Sequence, residues 1–272
     1  MSTDSVLVDR QGHTAILTLN RPHRHNAFDF PMMSTLGEVW RECAEDDEVR
    51  CVIVTGSGDK AFCTGMDLAT IPDAEKSAVA KTETALAESP ISCLTALQNH
   101  CWKPVITAIN GMVCGGGFHF LVDSDLVIAA EHATFFDNHV AMGLVAGLEP
   151  VALSRRVPLE TVFRLAFLGG TERMSAEEAF QSRLVGEVVP AAQLMQRALN
   201  LAENISRHSP TALMRTKQAI WQSLDRSLHG GLENAWRLID EHQSHPDASE
   251  GARAFLEKRP PAWSSIPGKL KR

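Results

Sequence analysis

Two histidines twenty positions apart, His119 and His139, are the side chains of this chain best suited to move a proton. The first closes a glycine run, Cys114-Gly115-Gly116-Gly117-Phe118-His119, and the second ends Phe135-Phe136-Asp137-Asn138-His139. Imidazole titrates near pH ~6.5, so it can take or give a proton at neutrality. A placed general base is worth roughly 10²–10⁴-fold in rate. Two neighbouring imidazoles repel when both are charged, which favours one neutral base beside one hydrogen-bond donor. A carboxylate orienting one ring would complete a dyad. The plain alternative is a pair of satisfied core histidines. A shared metal lacks a third ligand in the sequence, so none is expected.

Two glycine-punctuated loops precede these residues. Gly56-Ser57-Gly58-Asp59-Lys60-Ala61-Phe62-Cys63-Thr64-Gly65-Met66-Asp67-Leu68 follows one apolar run, and Asn110-Gly111-Met112-Val113-Cys114-Gly115-Gly116-Gly117 follows another. Glycine allows positive φ and close approach of the backbone to a ligand. N–H groups at a helix start point outward with partial positive charge. One such group from each loop could hold a single developing oxyanion.

The elements that must position these groups alternate in type. Val6-Leu7-Val8 and residues 14–19 read as strands around a Gln11-Gly12 hairpin. Asp29 can cap a helix with Pro31 in its first turn and Met32, Leu36, Val39, Trp40 and Cys43 on one face. Apolar runs at 49–55, 105–109, 126–129 and 185–189 read as buried strands. Strands alternating with helices predict an α/β plan with both sheet faces covered. Ser175-Ala176-Glu177-Glu178 has capping-box spacing. Beyond Ala191, helices are expected over 192–206, 211–227, 232–243 and 250–257, with breaks at Pro210, Gly230-Gly231 and Pro246. Residues 73–88, rich in Ala, Thr, Lys and Glu, read as a solvated surface helix, with a lid as the second reading.

Composition narrows the classes. The 272 residues are 44% hydrophobic and 22% charged, ordinary for a globular protein of one large domain or one domain with an appendage. The formal charge of −7 speaks against a nucleic-acid surface. No apolar stretch approaches the roughly 20 residues that span a bilayer, and Met1–Ser5 does not begin a secretory signal. The six cysteines form no CxxC pair and read as reduced thiols, so a cytoplasmic location is expected. The chain has no tyrosine, which excludes phenol chemistry.

In order, Arg21-Pro22 with Asn26-Ala27, Ala61-Phe62-Cys63-Thr64-Gly65-Met66-Asp67-Leu68, Lys103 to Gly111, the glycine run, Glu177-Glu178-Ala179 and the closing Glu250-Gly251-Ala252-Arg253-Ala254-Phe255-Leu256-Glu257-Lys258-Arg259-Pro260-Pro261-Ala262-Trp263 resemble the crotonase superfamily of enoyl-CoA hydratases and isomerases. The resemblance runs from about Val6 to Trp263. It implies a crotonase-like ββα-spiral core over residues 1–205, for acyl-CoA binding and catalysis, and a C-terminal helical trimerisation segment over 206–272. It implies a homotrimer or a dimer of trimers. It also implies an acyl-CoA substrate with coenzyme A as part of the thioester, and no permanently bound cofactor.

Carried onto this chain, the oxyanion donors are the Met66 and Gly116 amides. Arg24, Ala61, Cys63, Thr64, Asp67 and Leu68 match positions along the CoA moiety, and Phe255 and Lys258 match positions near the nucleotide, sometimes of a neighbouring subunit. Family hydratases flank a water with two glutamates; His119 and His139 stand in those places here. Glu149, on the loop that the resemblance puts at the acyl end, is the first candidate to pair with a histidine, and Asp137 is the second, equally readable as a cap. The leading expectation is enoyl-CoA hydratase/isomerase-like chemistry. The alternatives are a histidine-dependent C–C or thioester hydrolase and a non-catalytic CoA-binding or assembly protein.

Overall fold

Alternation along β3 (Cys51–Gly56) sends Val52 and Val54 into one apolar core and Cys51 and Ile53 into a second. The strand must therefore be covered on both faces. The computed structural model describes residues 5–70 and 89–264. β3 lies inside a six-stranded sheet in which β1 (Val6–Gln11) and β2 (Thr14–Leu19) form an antiparallel hairpin. The remaining neighbours run parallel, in the order β1-β2-β3-β5-β7-β10.

Three times the chain leaves this sheet to add a short strand to a second one. β3 leads to β4 (Ala61–Cys63), β5 (Val105–Ile109) to β6 (Met112–Cys114), and β7 (Leu126–Ala130) to β8 (Thr134–Phe136). The second sheet has the order β4-β6-β8-β9, closed by β9 (Met174–Ser175). This repeated strand pair is the ββα spiral. Leu17, Val52, Val54, Phe62, Phe118, Phe120 and Phe135 fill the principal core, where Phe62 and Phe120 meet edge to face. α1 (Phe30–Glu45) is capped by Asp29, whose carboxylate accepts the Met32 amide, and buries Met32, Leu36, Val39, Trp40 and Cys43 as its spacing predicts. α6 (Leu194–Ser206) covers the opposite face of the first sheet with Leu194, Ala198 and Ala202.

Short helices occupy the loops beyond the second sheet. They are α2 (His119–Val122), α3 (Leu148–Leu153) and α4 (Leu159–Phe167), followed by α5 (Ala176–Gln181), whose Ser175–Glu178 capping box is formed in both directions. β10 (Glu187–Val189) begins two residues later than the apolar run suggested.

The C-terminal helices are α7 (Pro210–Ser223), α8 (Leu228–Gln243) and α9 (Asp247–Leu256). Pro210 and Pro246 mark helix starts, but Gly230-Gly231 is no break. Ser227 caps α8 by accepting the Gly230 amide, and a side chain at Gly231 would press on Ser223 of α7 at 3.1 Å, so glycine there allows the two helices to pack. The expected surface helix at 73–88 lies outside the described residues. The six cysteines form no disulfide among the described residues. Among the described residues no helix is long and apolar enough to cross a membrane.

Lys217 anchors α7 by donating to the Lys103 carbonyl at 2.9 Å and pairing with Asp125 at 2.8 Å. Beyond α9 the chain folds back. Glu250 accepts from Arg259 at 2.6 Å, from the Ala262 amide at 2.7 Å and from Arg253 at 3.1 Å, while Trp263 donates to the Arg207 carbonyl. The Arg259 and Ala262 hydrogen bonds hold the Glu250 carboxyl down at about 2. A folded-state value below the unfolded one gives a contribution that is complete above the ordinary glutamate range and lost as pH falls through about 2. Glu250→Gln is therefore expected to speed amide exchange at Ala262 and Ser264 at pH ~7, a state the wild type reaches only in strong acid. Equal exchange in the two proteins at neutrality would remove this anchor.

Candidate active site

The two glycine loops meet backbone to backbone. Gly65 has φ +84°, and a Cβ built on it would stand 2.7 Å from the Gly116 amide nitrogen. A Cβ on Gly116 would stand 2.8 Å from the Phe28 ring and 3.2 Å from the Gly65 Cα. Neither position admits a side chain. Phe28 clamps the first loop, donating its amide to the Gly65 carbonyl and accepting the Asp67 amide with its own carbonyl, both at 2.8 Å. Met66 is thereby held in a one-residue parallel bridge to Phe28, next to the glycine that abuts Gly116. The loops arrive there because β4 and β6 pair in parallel, Ala61 opposite Met112 and Cys63 opposite Val113.

His119 follows at once as the first residue of α2, its amide donating to the Gly116 and Gly117 carbonyls. The ring is buried, 5% exposed, and Nε2 lies 3.1 Å from Oε1 of Glu149, itself 4% exposed in the first turn of α3. This is charge contact without good hydrogen-bond direction at Nε2. Burial alone would raise the Glu149 carboxyl. The His119 contact and charge, its own amide and the charge of His139 together outweigh burial and hold it below the usual glutamate range.

His139 lies on the other side of the glycine run. A Cβ on Gly115 would be 3.4 Å from its Cε1. Its Nδ1 is 2.8 Å from Oδ1 of Asp137, which also accepts the His139 amide at 2.8 Å. Asp137 is buried, while the His139 side chain is 24% exposed. The Asp137 hydrogen bond prevails over burial and, with the charges of Asp137 and Glu149, holds the imidazole above its ordinary value. Asp137 is thus the imidazole partner that its spacing allowed and also holds the His139 amide, but it caps no helix, because His139 itself precedes the helical turn at 140–142. The site carries two carboxylate–imidazole pairs, and Glu149 acts electrostatically on both rings.

The residues expected along the CoA moiety divide into two groups. Arg24 is half exposed, 3.9 Å from Asp67, and Leu68 and Thr64 stand at the surface of the same loop, Thr64 donating to the His25 carbonyl. Ala61 and Cys63 are buried, main chain included, and the Ala61 carbonyl accepts from Asn26 at 2.8 Å. Asp67 is occupied by Arg21 at 2.8 Å, and Arg21 also reaches Asp29 at 3.0 Å and the Ala27 carbonyl at 2.5 Å. Its carboxylate braces the loop. Phe255, 82% exposed, and Lys258 stand at the end of α9. A cavity of about 480 Å³ at the far end of α2, lined in part by Arg156, Asp125, Lys217 and Trp221, is a different place. Its charges are already matched, Asp125 by Lys217 and Trp221, and Arg156 by backbone carbonyls.

A family-wide sequence profile described as Enoyl-CoA hydratase/isomerase matches residues 9–266. The chain belongs to this family, and its fold and enzymatic character follow the family. It is 34% identical over 269 residues to (E)-benzylidenesuccinyl-CoA hydratase of Thauera aromatica, covering 95% of this chain and 98% of that one. It is 30% identical over 260 residues to the short-chain-enoyl-CoA hydratase of Clostridium acetobutylicum, covering 95% and 97%. Among solved structures, an enoyl-CoA hydratase/isomerase from Mycobacterium paratuberculosis superposes with a TM-score of 0.85 at 38% identity, covering 97% of this chain and 99% of that chain.

The Glu149 carboxylate sets an acid-side dependence. Its folded-state value lies below the unfolded one, so its contribution to stability is complete above the unfolded glutamate value and lost as pH falls through the lower folded value. Glu149→Gln is expected to cost about 1–3 kcal/mol at neutral pH and to flatten that acid-side slope. Urea unfolding at several acidic and neutral pH values reads both, and parallel slopes in variant and wild type would contradict the pairing.

Proposed function

We propose that this protein adds water across the double bond of a 2-enoyl-CoA thioester. The observation that carries the reading is the seam where Gly65 abuts Gly116, which supports a site in which the Met66 and Gly116 amides both donate to the thioester oxygen. His119 steadies the Glu149 carboxylate, and Glu149 takes a proton from water as the water oxygen bonds to Cβ. The π pair moves to the thioester, whose enolate oxygen the two amides hold. His139, carrying the extra proton that its surroundings favour, then protonates Cα. Glu149 releases its proton to solvent and His139 regains one, so a 3-hydroxyacyl-CoA is the net product. Activity falls in acid as Glu149 is protonated and in alkali as His139 loses its proton.

Coenzyme A enters only as part of the substrate. Arg24, Thr64 and Leu68 line its path, the buried Ala61 and Cys63 stand behind them, Asp67 fixes the loop through Arg21, and Phe255 and Lys258 approach the nucleotide. A homotrimer, alone or paired, fits the exposed apolar row of Leu228, Leu232, Trp236 and Ile239 along α8. Cysteines without a disulfide, five of the six buried, suit the cytoplasm. The acyl group of the Thauera relative's named substrate carries a free carboxylate, so a succinyl-type enoyl thioester belongs in the panel with crotonyl-CoA.

A second reading is favoured by the Asp137–His139 pair, whose form suits a base that activates water for attack on a carbonyl, cleaving a β-ketoacyl-CoA or the thioester itself. Incubation with enoyl-CoA and β-ketoacyl-CoA panels, followed by enoyl-thioester absorbance and free thiol, separates the two. Enoyl consumption without thiol release is expected, and it should drop about 10²–10³-fold in Gly65→Ala, which disturbs one oxyanion donor. Thiol release or β-ketoacyl cleavage alone would replace hydration with hydrolysis. Saturable CoA-ester binding with no turnover would leave a binding protein.

A further inference from the structure

We propose that Asp137 is a positioning residue for His139, fixing the ring so that Nδ1–H points at the carboxylate and Nε2 is the atom that delivers the proton to the thioester. The proposal rests on the hydration reading, and it assigns a role to a residue that the family's glutamate pattern does not contain.

The geometry carries it. Oδ1 of Asp137 is 2.8 Å from the ring Nδ1 and 2.8 Å from the His139 amide, so a single buried oxygen fixes both the backbone and the ring of the residue two positions later. With Nδ1 engaged, Nε2 is the remaining polar atom of the ring. The Cε1 edge lies against Gly115, immediately before the Gly116 donor. The ring is thereby held beside the site where an enolate oxygen would be bound, and the more exposed nitrogen-bearing group of the two pairs is this one.

The groups that face His139 are few. Asp137 leads into it from β8, Glu149 approaches from α3, and His119 on α2 touches Glu149. The Cys114 thiol at the end of β6 is pushed up to about 12 by burial and the Asp137 charge, so it stays neutral, and Arg173 acts on that thiol in the opposite sense. Two carboxylates therefore act on the ring and favour its charged form, as a proton donor at neutrality requires. In the hydration reading the pairs act through opposite members, the imidazole in Asp137–His139 and the carboxylate in His119–Glu149.

The test uses the full-length protein with 13C-labelled histidine. In Asp137→Asn the His139 Cε1 titration midpoint should fall toward the ordinary imidazole value, while Asp137→Glu, which keeps the charge, should retain more of the elevation. With enoyl-CoA, kcat should drop on the order of 10²-fold in Asp137→Asn with KM changed much less, and the alkaline limb of kcat/KM should move to lower pH. In a His139→Gln background, Asp137→Asn should cost nothing further in kcat. An unchanged His139 midpoint in Asp137→Asn, or an equal loss of activity with and without His139, would overturn the proposal and leave a purely structural role. Should Asp137→Asn not fold, the Asp137→Glu midpoint and its alkaline limb decide, and both must follow the displaced carboxylate. The titration needs no substrate, so a wild type that hydrates no enoyl-CoA would sink the hydration reading and leave the Asp137 assignment to the midpoint alone.

Discussion

The approach of two main chains without intervening side chains, Gly65 against Gly116, is the constraint from which the site follows. A contact of 2.7 Å between a would-be Cβ and an amide nitrogen leaves no room for any other residue at Gly65, and φ +84° disfavours any other residue there independently. The parallel pairing of β4 with β6 and of β6 with β8 supplies the register. Each loop leaves the second sheet at its own height, and the loops after β4, β6 and β8 deliver Met66, Gly116 with His119, and His139 to one place. The large sheet and α6 stand behind as support. The site is made at strand ends, where backbone groups are not consumed by sheet pairing and remain to bind a ligand.

Electrostatics explains how a site read as holding two histidines, where the resemblance implies glutamates, still carries negative charge. Imidazoles alone would supply none. This chain restores two carboxylates, Glu149 and Asp137, each in contact with one ring. A buried carboxylate without a partner would be pushed toward its neutral form. Here His119 reverses that tendency at Glu149, and Asp137 raises the proton affinity of His139. Glu149 is thus shifted toward its ionised form and His139 toward its protonated form, the division that the proposed addition of water needs.

Much of this was legible in the residues. Asp29 with Pro31, Ser175 with Glu178 and the apolar runs of β3, β5 and β7 give their elements through local rules that tertiary context did not override. Gly230-Gly231 misled because a break was inferred from propensity, whereas Ser227 supplies a cap and the missing side chains admit Ser223 of α7. The two-residue spacing of Asp137 and His139 allowed either a cap or a ring partner, and the structure uses one oxygen for the ring and the His139 amide. The contact of Glu149 with His119 bridges thirty positions between two short helices, and no periodicity encodes it. Burial likewise separated Ala61 and Cys63 from their exposed neighbours, a distinction invisible in a loop read as a string.

That long-range contact has a second brace. Arg156, just after α3, donates to the carbonyls of Leu121, Val122 and Ser124 at 2.9, 3.0 and 2.6 Å, where α2 ends. α2 is only four residues long and leaves most of its carbonyls without helical partners. The guanidinium serves those of Leu121 and Val122, while the His119 carbonyl accepts from Asp123 and the Phe120 carbonyl from Thr107 and Ser124, and it sets a positive charge against the negative end of the helix. α2 and α3 are therefore tied at both ends of the shorter helix, by His119 to Glu149 at its start and by Arg156 at its finish. A turn this short would not hold a ring in place by its own hydrogen bonds. Fixed by Glu149 of α3 and by Arg156 just beyond it, α2 keeps His119 against Glu149, the preorganisation that the proposed proton transfer would use.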